Sequence, residues 1–103
     1  MAFHRVIAVA DLWNGDLVAA DVGGTHVLLV KIDDVVHAYA NRCAHLGVAL
    51  SEGSLAGRVL TCSAHHWQYD VVTGRGVNPD SACLSRFPVK IEGGAVFVEV
   101  PDE

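Results

Sequence analysis

The sequence predicts an all-β fold, and two observations lead to this prediction. The hydrophobic periodicity along the 103 residues is typical of strands, and turn residues interrupt it at short intervals. In addition, no segment longer than about ten residues has the continuous apolar stripe of an amphipathic helix. We therefore expect a small sandwich or barrel of antiparallel strands.

Four strands are predicted in the first part of the chain. They are Phe3 to Val9, Leu17 to Val22, Thr25 to Ile32, and Val35 to Ala40. Turns are predicted at Gly15-Asp16, at Gly23-Gly24 and at Asp33-Asp34. Aspartate and glycine adopt the backbone conformations that tight turns require, so the third and fourth strands are predicted to form a hairpin.

The second part of the chain is predicted to contain shorter strands. They are Arg58 to Thr61, Trp67 to Val71, Val89 to Glu92, and Ala95 to Val100, the last two joined by a hairpin turn at Gly93-Gly94. Thr73 to Pro79 is predicted to be a loop, and Leu46 to Leu50 a helical turn at most. Because no repeat, linker or low-complexity tract divides the sequence, residues 1–103 are predicted to form a single domain.

Two short motifs each combine one cysteine with one histidine. They are Cys43-Ala44-His45 and Cys62-Ser63-Ala64-His65, and sixteen residues separate them. That length allows a strand out and a strand back, which would bring the second motif beside the first. Two thiolates and two imidazoles form the ligand set of a Rieske [2Fe-2S] centre, in which two histidines replace two cysteines on one iron. The predicted ligands of one cluster per chain are therefore Cys43, His45, Cys62 and His65.

A zinc site is the alternative interpretation of these four residues, since two cysteines and two histidines also bind zinc tetrahedrally. Zinc fingers usually keep the two cysteines together and the two histidines together, whereas each motif here is mixed. This difference favours the cluster over a zinc-binding interaction module. A coincidence of small core cysteines and surface histidines is a further alternative.

Charge and composition narrow the classes of function. The net charge of −5 and the isoelectric point near 5.6 argue against binding to nucleic acid and favour partners with basic docking patches. No apolar run approaches the roughly 18 residues of a membrane span, and no targeting segment is apparent, which predicts a soluble protein. Three cysteines, two of them assigned to iron, favour a reducing cytosol over a disulfide framework. The third, Cys83, is predicted to be a buried thiol.

The chain resembles the Rieske-type ferredoxins, in particular the ferredoxin components of the multicomponent toluene and alkene monooxygenases. The resemblance extends over nearly the whole chain. Besides the two ligand motifs, it rests on Asp11-Leu12-Trp13-x-Gly15, Ala38-Tyr39, Leu50-Ser51-Glu52-Gly53, Thr61-Cys62-x-Ala64-His65-x-Trp67, Thr73-Gly74-x-Gly76-Val77-Asn78-Pro79-Asp80, Cys83-Leu84 and Pro88-Val89.

This resemblance implies a Rieske-type sandwich or barrel with a cluster-binding subdomain of two loops. It implies thiolate ligands on the inner iron, imidazole ligands on the outer iron, and a proline-bearing loop, Gly76 to Pro79, that covers the cluster. The implied function is that of an electron carrier rather than an enzyme. As a cytoplasmic monomer, it would pass single electrons from a flavin-containing NADH reductase to the oxygenase of an aromatic or alkene monooxygenase in hydrocarbon catabolism. A ferredoxin for an aromatic-ring dioxygenase is the alternative.

Several other residues near the motifs have predicted roles. The family spacing Cys-x-x-His selects His65 rather than its neighbour His66 as the ligand. Trp67 is either a core residue below the cluster or an exposed aromatic residue at the docking face, while Trp13 is predicted to pack beside its turn. The remaining histidines, His4, His26 and His37, are predicted to lie at the surface or on strand edges.

Overall fold

The computed structural model describes residues 2–42, 49–63, 66–78 and 82–100, and these residues form three antiparallel sheets. The strands are β1 (Ala2–Ala8), β2 (Leu17–Val22), β3 (Thr25–Ile32), β4 (Val35–Ala40), β5 (Ser54–Ala56), β6 (Val59–Thr61), β7 (Gln68–Asp70), β8 (Gly76–Asn78), β9 (Arg86–Phe87), β10 (Val89–Glu92) and β11 (Ala95–Val100). Two 3-10 turns, Val9–Asp11 and Leu50–Glu52, are the helical elements of these ranges. The all-β prediction is confirmed.

The eleven strands of the described ranges divide into three sheets, each with its own strand order. The first sheet has the order β1-β11-β10, the second β2-β3-β4-β9, and the third β5-β6-β7-β8. Over the ranges that the structure describes, no helix has the length and apolar character needed to cross a membrane.

Two buried clusters of side chains lie on opposite faces of the second sheet. Cluster 1 connects it to the third sheet and consists of Leu28, Val30, Tyr39, Leu50, Leu60, Cys62, Tyr69, Val71 and Leu84. Cluster 2 connects it to the first sheet and consists of Leu12, Val22, Val27, Leu29, Ala38, Val96, Val98 and Val100. Successive side chains of a strand point to opposite faces, so β3 contributes to both clusters in alternation. The second sheet is therefore the central layer, which explains why the apolar run in β3 is almost continuous.

Turn chemistry correctly predicted the tight connections between strands. Asp33 and Asp34 have positive φ angles of 49° and 67° in the turn that pairs Ile32 with Val35. This left-handed conformation is tolerated by aspartate and suits the two-residue hairpin.

Some of the short strands differ from the prediction. The segment predicted as a loop from Thr73 to Pro79 contains β8, which pairs with β7. Two further strands, β5 and β9, were not predicted either. With only two or three residues each, these strands have no readable alternation, and their pairing depends on neighbours brought together by the fold.

Candidate metal centre

One end of the third sheet collects the segments that lead into the predicted ligands. Ser54 pairs there with Thr61, Thr61 with Gln68, and Gln68 with Asn78. We call these four residues the ligand end of the sheet. The loop of the first motif runs into β5 at Ser54, β6 leads directly into Cys62, and Asn78 belongs to the predicted cover loop, Gly76 to Pro79. The sheet register therefore brings the flanks of three separate loops to one place.

Cys62 lies at this end and is fully buried, with a relative exposure of 0 %. It belongs to cluster 1 together with Leu50 and Leu60. The backbone amide of Cys62 donates a hydrogen bond to the carbonyl oxygen of Trp67, 2.7 Å away, and His66 within this turn has a φ of 55°. The chain thus bends tightly between β6 and β7, as a Cys-x-x-His pair of ligands requires.

The other three predicted ligands, Cys43, His45 and His65, lie outside the described residues. Within the described ranges no three histidine, cysteine or acidic side chains are grouped as a metal site. The four-residue ligand set therefore stays a prediction, and the structure bears on it through Cys62 and through the flanks of the loops.

The flanks of the first motif are joined by the side chain of Asn41. Its Oδ1 accepts a hydrogen bond of 3.0 Å from the amide of Ser51, and its Nδ2 donates one of 3.1 Å to the hydroxyl of Ser51. The backbone N–H of Asn41 in turn donates to the carbonyl oxygen of His26 on β3, 3.0 Å away. The two ends of the segment 42–50 are therefore held side by side against the central layer.

The exit of this segment also lies against the entrance to the second motif. A Cβ atom placed on Gly53 would lie 2.3 Å from the carbonyl oxygen of Thr61, so only glycine fits between the two backbones here. Leu50, next to Ser51, is fully buried in the same cluster as Cys62. A buried thiol at the meeting point of two loop flanks fits a metal cluster held between the two motifs.

The third sheet is attached to the central layer through Tyr39 and Arg86. The Tyr39 hydroxyl donates to the carbonyl oxygen of Val71 at 2.7 Å, and Nη1 of Arg86 donates to that of Val72 at 3.1 Å. The Arg86 guanidinium also lies 5.6 Å from the centre of the Tyr39 ring. These contacts hold the turn between β7 and β8, and β8 leads to the ligand end.

His37 corrects a prediction, because it is buried, with a relative exposure of 5 %, rather than at the surface. It lies on β4, an inner strand that β9 flanks. Burial, followed by the charge of Arg86, lowers the pKa of His37, with a smaller lowering from Arg58, and the carboxylate of Asp70 opposes these effects only in part. The imidazole is consequently neutral near pH 7, and its Nδ1 accepts a hydrogen bond from Nη2 of Arg86 at 2.6 Å.

Asp70 shapes the turn between β7 and β8, and it was not among the residues singled out from the sequence. Its carboxylate accepts hydrogen bonds from Nε of Arg58 at 2.9 Å and from the amides of Val72 and Thr73 at 2.9 and 3.3 Å. Partial burial raises the pKa of Asp70, but these donors together outweigh that effect, so the pKa lies below its ordinary value. Aspartate often begins a turn because its side chain can accept from the backbone amides that follow it. This local turn signal could have identified Asp70 from the sequence.

The structure also locates the remaining aromatic and thiol side chains. Trp67 is partly buried and packs against cluster 1, which favours its interpretation as a core residue. Trp13, predicted to pack beside its turn, is instead 71 % exposed, and its backbone amide donates a hydrogen bond to the Asp16 carboxylate. Cys83, predicted to be buried, is exposed, whereas the next residue, Leu84, is buried in cluster 1, because successive side chains of an extended segment point to opposite faces.

The two other histidines agree with the prediction to different degrees. His26 is exposed and paired with the carboxylate of Asp21 on the neighbouring strand, as expected for a surface residue. His4, on the edge strand β1, is partly exposed.

Comparison with protein families gives a match over most of the chain. The family model for the Rieske [2Fe-2S] domain matches residues 2–88. The chain is 49% identical over 94 residues to the ferredoxin component of the alkene monooxygenase system of Xanthobacter autotrophicus, covering 90% of this chain and 77% of that one. It is 32% identical over 95 residues to the ferredoxin component of the naphthalene 1,2-dioxygenase system of Pseudomonas aeruginosa, covering 91% of both chains.

Solved structures with the same fold support this match. The ferredoxin of carbazole 1,9a-dioxygenase from Nocardioides aromaticivorans superposes with a TM-score of 0.86 and 28% identity, covering 95% of this chain and 97% of that one. A chain in a complex of reduced oxygenase and oxidized ferredoxin of carbazole 1,9a-dioxygenase gives a TM-score of 0.87 at 28% identity, covering 98% of this chain and 95% of that one.

Proposed function

The chain belongs to the Rieske [2Fe-2S] domain family, and from this premise we propose that it is the ferredoxin component of an alkene or aromatic monooxygenase system. It carries single electrons to the terminal oxygenase and catalyses no reaction itself. The observation that carries the proposal is the 49% identity, over 90% of the chain, to the ferredoxin component of an alkene monooxygenase system. Rieske domains bind a [2Fe-2S] cluster, which is accordingly the cofactor of this chain.

The residues proposed to hold the cluster are Cys43, His45, Cys62 and His65. When bound, the cluster supplies a site that takes up and releases one electron. The chain itself buries the Cys62 side chain, fixes the loop flanks at the ligand end, and keeps water away from that thiol. Family membership removes the support for the alternative of a zinc-binding module.

Two protein partners follow from this role. A flavin-containing NADH reductase would load the ferredoxin, and the oxygenase would unload it. The net charge of −5 supports docking to basic patches on both, with an association rate that falls as the salt concentration rises. The proposal also includes a monomeric state and a cytoplasmic location. The reducing cytoplasm fits because two of the three cysteines are assigned to iron and leave no pair for a disulfide.

A ferredoxin for an aromatic-ring dioxygenase is the second candidate. The naphthalene dioxygenase ferredoxin covers as much of the chain as the alkene monooxygenase ferredoxin does, but at 32% rather than 49% identity. The higher identity favours the monooxygenase system.

Spectroscopy on the purified protein tests the cofactor part of the proposal. We expect a red-brown protein with a rhombic Rieske signal in the electron paramagnetic resonance (EPR) spectrum after reduction with dithionite. A colourless protein that contains one zinc ion per chain would overturn the electron-carrier function.

Reconstitution tests the choice of partner. The protein is mixed with NADH, its reductase and either an alkene monooxygenase or a naphthalene dioxygenase oxygenase component, and the oxygenated product is measured. We expect product with the monooxygenase component, and none when the ferredoxin is omitted. Product with the dioxygenase component alone would favour the second candidate.

A further inference from the structure

We propose that Asn41 is a positioning residue for the cluster, because its side chain closes the loop that carries Cys43 and His45. This inference rests on the proposed function. Asn41 is not itself a predicted ligand, and it lies two residues before the first one. Its role is to hold the two ends of the loop in a fixed relation to the second motif.

The geometry of Asn41 supports this role. The carboxamide makes two hydrogen bonds to one residue, Ser51, with its Oδ1 accepting at 3.0 Å and its Nδ2 donating at 3.1 Å. Both bonds are partly buried, where competition from water is reduced. The backbone N–H of Asn41 donates to the carbonyl oxygen of His26 on β3. The side-chain carboxamide therefore projects from a backbone that is held in place.

Ser51 is connected in turn to the second motif. It lies in the 3-10 turn Leu50–Glu52, whose Leu50 is buried beside Cys62 in cluster 1. Gly53, two residues further on, lies so close to the carbonyl oxygen of Thr61 that no side chain fits between them. Thr61 directly precedes Cys62. Two hydrogen bonds, a 3-10 turn and a close approach between two backbones therefore connect Asn41 to Thr61, the residue before Cys62.

Loss of the Asn41 side chain would remove the two hydrogen bonds between Asn41 and Ser51, which flank the nine-residue segment 42–50. The number of conformations open to a segment rises when its ends are released, so the ligands would spend less time in the binding arrangement. Residues that orient metal ligands from outside the ligand set typically change metal affinity by about 10-fold to 100-fold when they are removed.

The test compares variants of the full chain with the cluster in place. Asn41→Ala removes both bonds, whereas Ser51→Ala removes only the bond to the hydroxyl. Asn41→Asp keeps both contacts, because the Ser51 hydroxyl can donate as well as accept. The matched control is Asn14→Ala, since Asn14 makes the same pair of bonds to Asp34, at 2.8 and 3.1 Å, in a turn outside the ligand end.

The measurements are the rate of iron release to a chelator, the EPR g values of the reduced protein, and the free energy of unfolding. We expect Asn41→Ala to release iron at least about 10-fold faster than wild type and to show altered g values. Ser51→Ala should have an intermediate release rate, and Asn41→Asp a rate near that of wild type. Asn14→Ala should unfold more easily yet keep the wild-type g values and release rate.

Equal release rates and g values in Asn41→Ala and Asn14→Ala would overturn the inference while leaving the proposed function intact. If Asn41→Ala does not fold, a Ser51→Ala release rate above that of Asn14→Ala supports the inference, and equal rates overturn it. A wild-type protein without a Rieske signal would overturn the proposed function and this inference together.

Discussion

The hydroxyl of Tyr39 donates a hydrogen bond to the carbonyl oxygen of Val71, 2.7 Å away, and both residues have a relative exposure of 0 %. Tyr39 belongs to β4 of the central sheet, and Val71 follows β7 of the third sheet. One buried bond thus connects the layer that forms both hydrophobic clusters to the layer that holds Cys62. The stability of the ligand end therefore depends on the interface between the two sheets.

Removing this bond should destabilise the protein. In Tyr39→Phe the ring remains, but the buried carbonyl of Val71 loses the hydroxyl as its partner, at a cost of about 1–3 kcal/mol. The measurement is urea unfolding at pH 7 of the wild type and the variant. A difference below about 0.5 kcal/mol would show that this bond does not stabilise the sheet interface.

Acidification should weaken the fold through His37. Burial and the Arg86 charge lower the pKa of His37 from its ordinary value of 6.5, so the unfolded chain takes up a proton more readily than the folded one. This contribution to stability is complete above pH 6.5 and is lost as the pH falls from 6.5 through the lowered pKa. Protonation of His37 would also remove the lone pair on Nδ1 that accepts from Arg86, and it would place a second positive charge beside the guanidinium.

The check is the free energy of unfolding at several pH values between about 5 and 8. His37→Gln should flatten the pH dependence below pH 6.5, and its Oε1 atom can still accept from Arg86. Identical slopes in the His37→Gln variant and the wild type would contradict the assignment.

A methyl group at Gly53 should disturb the approach of β5 to β6. In Gly53→Ala the new Cβ would lie 2.3 Å from the Thr61 carbonyl oxygen, so the backbones must separate, at a cost of about 1–3 kcal/mol. Gly57→Ala is the control, because no atom lies within 4 Å there and only its φ of 61° is unfavourable to alanine. We expect altered EPR g values in Gly53→Ala and unchanged ones in Gly57→Ala. A shift in both variants, or in neither, would count against a contact specific to the ligand end.

The two described cysteines should differ in their effect on the cluster. Cys62→Ser replaces the buried predicted ligand, and we expect loss of the red-brown colour and of bound iron. Cys83→Ser changes an exposed thiol and should leave both unchanged. Visible absorption and iron analysis of the purified variants provide the measurement. Full iron content in Cys62→Ser would remove Cys62 from the ligand set.

Much of the fold could be predicted because its information is local. Strands β2, β3, β4, β10 and β11 have the predicted boundaries, since alternation and turn residues such as Asp33-Asp34 act within a few positions. The return of the chain after Cys62 is local as well, since the Cys62 amide is bonded to the carbonyl oxygen of Trp67, five residues further on. Strands β5, β8 and β9 could not be predicted, because their pairing depends on distant partners.

The sequence by itself determined the all-β class, the long strands, the hairpin turns and the residues proposed to hold the cluster, because periodicity, turn chemistry and ligand spacing are properties of neighbouring residues. Only the tertiary structure decided which side chains are covered. His37 is buried on β4, which β9 flanks, and Cys83 is exposed although the next residue, Leu84, is buried in cluster 1. The hydrogen bond between Asn41 and Ser51 and the close approach of Gly53 to Thr61 were decided in the same way, since long-range contacts depend on how the chain folds.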